Sequence, residues 1–111
     1  MAISSIQSTE SFESDVLKSD SLALCVFTAD WCPYCKTLEP KIVNISSALP
    51  DLNIYNLDVD KAKGVDERYG VNTIPTIIFF RNGEPVSQEM VAYKTEPELM
   101  DYVKEQIKDH G

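Results

Sequence analysis

Two cysteines stand three residues apart in Asp30-Trp31-Cys32-Pro33-Tyr34-Cys35-Lys36. Thiols at that spacing can form and break a disulfide with each other, or supply half of a zinc site. Zinc needs further ligands, and the spare candidates are Cys25, inside an apolar run, and His110, beside the C-terminus. There is no second Cys pair, so no metal is expected and the redox reading takes precedence. The cysteine count is three, an odd number, and the stretch from Met1 to Phe12 has neither positive charge nor an apolar core. Both features argue against an exported disulfide scaffold, and a cytoplasmic location is expected on that ground.

The elements around the pair give it its chemistry. Leu22 to Thr28 (LALCVFT) is apolar without alternation, as in a strand covered on both faces of a largely parallel sheet. The periodicity then predicts a helix from about Cys32 to Ala48, with Leu38, Ile42, Ile45 and Leu49 as its apolar stripe. Pro40 lies inside it and is expected to kink it. Cys32 therefore falls where a strand gives way to a helix. The first helical N–H groups lack internal partners and carry the positive end of the helix dipole, so a thiolate is stabilised there. Thiolate is the attacking species in disulfide exchange. Three helical steps turn the chain by about 300°, which puts Cys35 on nearly the same face as Cys32. One turn deeper, Cys35 is expected to be the more buried and the less readily ionised. Cys32 would attack a target disulfide, and Cys35 would attack Cys32 to release the target. The reverse sequence oxidises a dithiol. Asp30 should oppose the thiolate slightly and Lys36 should favour it.

The rest of the chain alternates strands and helices. A weak strand candidate covers Ala2 to Ile6. Ser8 or Thr9 caps a helix to about Ser19, with Phe12 and Val16 on one face. Leu52 to Leu57 predicts a strand, and Val65 to Tyr69 a short helix stopped by Gly70. Thr76 to Phe80 (TIIFF) is a second fully apolar strand, and Asn82-Gly83 turns it into an antiparallel strand from Pro85 to about Val91. Thr95-Glu96-Pro97-Glu98 opens the last helix with a capping box, and Leu99, Val103 and Ile107 form its stripe. The order is β-α-β-α-β-α-β-β-α, an α/β class with helices on both faces of a small mixed sheet. Residues 1–111 contain no repeat or linker and read as one domain, expected to be a monomer.

Ten Lys plus Arg against eighteen Asp plus Glu give a net charge of -8. That balance argues against nucleic acid and against an anionic membrane surface. No apolar run approaches the roughly 20 residues of a spanning helix. Asp58, Asp60, Asp66 and Glu67 read as a solvated loop and helix face rather than a cation site. Cys25 reads as a small buried hydrophobe, and His110 as part of a disordered tail.

Taken together, the Asp30-to-Lys36 segment after an apolar strand, Pro40 in the next helix, and Thr73-Ile74-Pro75-Thr76 before the hairpin resemble the thioredoxin family. The resemblance runs the length of the chain. It implies a thioredoxin-like fold with four or five strands flanked by four helices, and protein dithiol–disulfide oxidoreductase activity. It implies a cis Ile74–Pro75 bond facing the cysteines, with the Ile74 backbone pairing with a bound substrate strand. Trp31 would be an exposed wall that docks partners; its alternative role is packing against a neighbouring loop. No bound cofactor is implied beyond the redox-active Cys32–Cys35 disulfide. Electrons would come from a thioredoxin reductase using NADPH, and the partners would be disulfide-containing proteins.

The chain also departs from the family pattern. Pro33-Tyr34 between the cysteines is the glutaredoxin dipeptide, where thioredoxins have Gly-Pro. A less reducing potential is expected, above the about −270 mV of thioredoxin and toward the roughly −200 to −230 mV of glutaredoxins. Glutathione-dependent reduction is therefore a second reading, although no glutathione-holding Gly-Gly-Asp element follows. Val26 and Asn56 stand where thioredoxins carry a buried Asp and its Lys partner. Met90-Val91-Ala92 replaces a groove glycine, so a narrower or more apolar groove is expected. A third reading makes the fold a docking module with incidental redox activity.

Overall fold

The protein is described by a computed structural model covering residues 3–111. Its strands are β1 (Ile3–Ile6), β2 (Ala23–Thr28), β3 (Asn53–Asp58), β4 (Thr76–Arg81) and β5 (Glu84–Met90). They form one mixed sheet in the order β1-β3-β2-β4-β5. β1, β3 and β2 run parallel, while β4 is antiparallel to both β2 and β5. The helices are α1 (Thr9–Ser11), α2 (Pro33–Ala48), α3 (Val65–Arg68) and α4 (Glu96–His110). The expected element order is found; residue 2 of the first strand candidate lies outside the described residues.

The unalternating apolar strands are explained by two cores. On one face Ala23, Cys25 and Phe27 of β2 and Ile78 and Phe80 of β4 pack with Phe12, Val16 and Val65. On the other, Leu24, Val26, Ile77 and Phe79 pack with Leu38, Ile42 and Ile45 of α2 and Leu99 and Val103 of α4. Successive residues of a strand point to opposite faces, and here both faces are covered. Leu49 and Ile107 are only half-buried, at the ends of their stripes. Pro40 sits inside α2, and the helix continues to Ala48.

Several local expectations are corrected. The first helix is not one α-helix to Ser19. Ser8 caps a single α-helical turn, which passes into a π-helical segment, Phe12–Leu17. The wider turn still buries both Phe12 and Val16. Asp58 is not solvated: it is 8% exposed, and its carboxylate accepts the Asp60 N–H at 2.9 Å. His110 is not in a loose tail but is the last residue of α4. That helix begins with the predicted capping box, Thr95 and Glu98 bonding each other's backbone N–H.

The hairpin turn has φ of 53° at Asn82 and 81° at Gly83, as the two-residue turn matched to strand twist requires. A Cβ on Gly83 would also lie 3.1 Å from the Leu17 carbonyl oxygen. Gly83→Ala is therefore expected to cost about 1–2 kcal/mol. A urea denaturation midpoint equal to wild type would contradict this.

Candidate active site

Cys32 is the N-cap of α2, with extended backbone (φ -89°, ψ 112°) and Pro33 beginning the helix. Its Sγ does what a capping oxygen normally does: it accepts the Cys35 backbone N–H, at 3.2 Å. The Cys32 N–H in turn donates to the Ala29 carbonyl at 3.2 Å, closing the turn between β2 and α2. The sulfur therefore lies against an otherwise unpaired amide at the N-terminal end of a 16-residue helix.

Cys25, Cys32 and Cys35 are all free thiols. Ala29, Cys32 and Cys35 form a small buried cluster with Val59 and Ile74 against it. The expected order of burial is not found: Cys32 is 3% exposed and Cys35 7%. Ile74 packs against the cluster that holds Cys32, a long-range contact that helix depth alone does not include. Cys35 itself is held against ionisation. Its thiol is pushed up to about 12, first by burial and next by its hydrogen bond to Cys32; a backbone hydrogen bond at Ala29 acts in the opposite direction. Cys25 is fully buried in mid-strand, and burial pushes its thiol up as well.

The Ile74–Pro75 bond is cis, and the Ile74 carbonyl oxygen lies 4.0 Å from Cys32 Sγ. Pro75 is buried and its carbonyl accepts the Val91 N–H at 3.0 Å, tying the exit of β5 to this loop. Trp31 is tied to a neighbouring loop and is also open to solvent. It is 66% exposed, and its indole N–H donates to Asp60 at 2.8 Å. Tyr34 is half exposed, and Lys36 and Asp30 face solvent.

Behind the pair, a cavity of about 480 Å³ is lined by Cys35, Val26, Thr28, Asn56, Lys36 and Glu39 among others. Val26 and Asn56 are register partners on β2 and β3, as the resemblance implies for the positions they occupy. Asn56 accepts the Thr28 hydroxyl at 3.0 Å. Met90 is exposed, whereas Val91 is buried and belongs to the core. Only part of Met90-Val91-Ala92 can therefore shape a groove.

Sequence reasoning missed Tyr93. Its ring meets that of Tyr34 edge to face, with centroids 5.3 Å apart. A lone aromatic in a polar connection carries no periodic signal. Asp60 was legible only as a loop acid, not as the anchor of Trp31.

The model of the family described as Thioredoxin matches residues 4–105. The chain belongs to the thioredoxin family. It is 40% identical to a thioredoxin of Rickettsia bellii over 76 residues, covering 68% of this chain and 72% of that one. It is 35% identical to a thioredoxin of Rickettsia typhi over 98 residues, covering 87% and 92%. It is 34% identical to Thioredoxin-2 of Pyricularia oryzae over 88 residues, 79% of this chain, and spans only about half (51%) of that relative's length. The X-ray structure of Fasciola hepatica thioredoxin superposes with a TM-score of 0.81, covering 98% of this chain and 100% of that one at 22% identity, a likeness of fold. Members of the thioredoxin family are thiol–disulfide oxidoreductases, and this chain is a dithiol–disulfide oxidoreductase of that kind.

Proposed function

We propose that this thioredoxin-family chain reduces disulfides in other proteins, with Cys32 as nucleophile and Cys35 as resolving thiol. The carrying observation is the asymmetry between the sulfurs. The Cys35 amide donates to the Cys32 sulfur, while the Cys35 thiol is held protonated by burial. The Cys32 thiolate attacks one sulfur of the target disulfide, forming a mixed disulfide and expelling the other target sulfur as a thiolate. Cys35 then loses its proton and attacks Cys32 Sγ. That step frees the second target thiol and leaves a Cys32–Cys35 disulfide. Two electrons pass to the target, and each target sulfur takes one proton.

The oxidised pair must be reduced again from outside. A thioredoxin reductase drawing on NADPH is the proposed source, and a reducing, cytoplasmic compartment suits a dithiol that must stay reduced. The chain is proposed to act as a monomer, without a bound cofactor. Trp31, Pro33, Tyr34, Lys36, Ile74 and Pro75 are proposed to shape the docking surface. The Pro33-Tyr34 dipeptide favours the second reading, in which glutathione is the donor.

Insulin reduction separates the two readings. With NADPH and thioredoxin reductase the chain is expected to turn over. With NADPH, glutathione and glutathione reductase it is expected to stay at background. Turnover in the glutathione system alone would replace the first reading by the second.

A further inference from the structure

Five large hydrophobic side chains are exposed among the described residues, and four of them lie toward the site: Trp31 and Tyr34 on either side of Cys32 in the chain, Tyr93 against Tyr34, and Met90 paired with Thr76 beside Pro75. They are arranged as two walls. Asp60, which holds the Trp31 indole, follows β3. Tyr93, which meets Tyr34, follows β5. β3 and β5 lie on opposite sides of β2 in the sheet, and β2 leads into Cys32. Trp31 therefore leans to one side of the sulfur and Tyr34 with Tyr93 stands on the other.

Tyr93 is 72% exposed, yet the segment carrying it is anchored. The Val91 N–H binds the Pro75 carbonyl at 3.0 Å, and the Lys41 ammonium binds the Lys94 carbonyl at 3.0 Å. The Lys94 ammonium is paired with Glu89 at 2.7 Å. An aromatic ring presented on a fixed segment offers contact area at little ordering cost. The charges differ between the walls. Asp30 and Asp60 put carboxylates beside Trp31, while the lysine beside Tyr93 is already neutralised by Glu89.

We propose that Tyr93, acting with Tyr34, is a specificity-determining residue. It selects protein disulfides whose attacked cysteine has a large apolar neighbour, and the Asp30 and Asp60 carboxylates disfavour cysteines flanked by acids. Glutathione, whose cysteine lies between two carboxylate-bearing residues, is a poor fit to such a site. The proposal rests on the reading of Cys32 as nucleophile toward protein disulfides and names the substrate class within it.

The test uses two cyclic disulfide peptides that differ only beside their cysteines, one with Phe and one with Glu. Single-turnover reduction is followed by separating dithiol from disulfide peptide. Each rate is expressed relative to the same variant's rate with 2-hydroxyethyl disulfide, which has no flanking residues. Wild type is expected to prefer the Phe peptide. Tyr93→Ser is expected to shrink that preference about fivefold, Tyr34→Ser to act in the same direction, and Tyr93→Phe to retain it. A preference unchanged in Tyr93→Ser overturns the proposal while leaving the nucleophile reading intact. A wild type that reduces none of the three disulfides overturns both.

Discussion

Cys32→Ser leaves insulin reduction at the uncatalysed background, a loss of at least about a thousandfold, because a serine hydroxyl neither ionises near neutral pH nor exchanges with disulfides. Cys35→Ser gives a different failure. The Cys32 sulfur keeps its place as N-cap, since the bond it accepts comes from the residue 35 backbone N–H and not from that side chain. Attack therefore proceeds, but nothing resolves the product, and the variant accumulates as a mixed disulfide with its target. Mass spectrometry under non-reducing conditions reads both results: no adduct for Cys32→Ser, and one target per chain for Cys35→Ser. Adduct formation by Cys32→Ser through Cys35 would invert the assigned roles. A Cys32→Ser chain that kept its full biological activity would favour the docking-module reading.

Val26→Asp changes release from the mixed disulfide more than it changes the initial attack. Val26 is 2% exposed and lines the same cavity as Cys35. The Cys35 thiol is pushed up to about 12 by burial, so removing its proton opposes the resolving step. A carboxylate in that cavity supplies a base, and release is expected to quicken by about a hundredfold, the low end of general-base effects. Cys32 has its own amide donor, so attack should change little. Rapid-mixing measurement of the two phases decides the matter, and equal changes in both would contradict the reading. The substitution also costs stability, with a defined pH dependence. Among Leu38, Ile42, Ile77 and Phe79, a carboxyl is disfavoured in its charged form, so its folded-state value rises above the unfolded value of about 3.9. Below the unfolded value both states are protonated and the charge penalty is absent. As pH rises from there through the folded value, the unfolded chain releases its proton first and the variant loses stability relative to wild type. Urea midpoints that stay parallel to wild type from about pH 4 to pH 8 would show an unburied carboxylate.

By itself the sequence determined the features that depend on neighbours a few residues away. Helix caps, the Asn82-Gly83 turn and the apolar stripes of the two long helices follow from local hydrogen bonding and side-chain period. These suffice to put Cys32 at the mouth of α2 with Cys35 one turn on, and so to announce disulfide chemistry. Tertiary structure decided what lies around the sulfurs. The order β1-β3-β2-β4-β5 brings the exits of β3 and β5 to opposite sides of one turn, and with them Asp60 against Trp31 and Tyr93 against Tyr34. It sets the Ile74 carbonyl near Cys32, which makes the attacking sulfur as buried as its partner. It also turns Asp58 inward from a loop that reads as solvated. Such contacts join residues remote along the chain, and they depend on strand register and crossover paths, which no local spacing encodes.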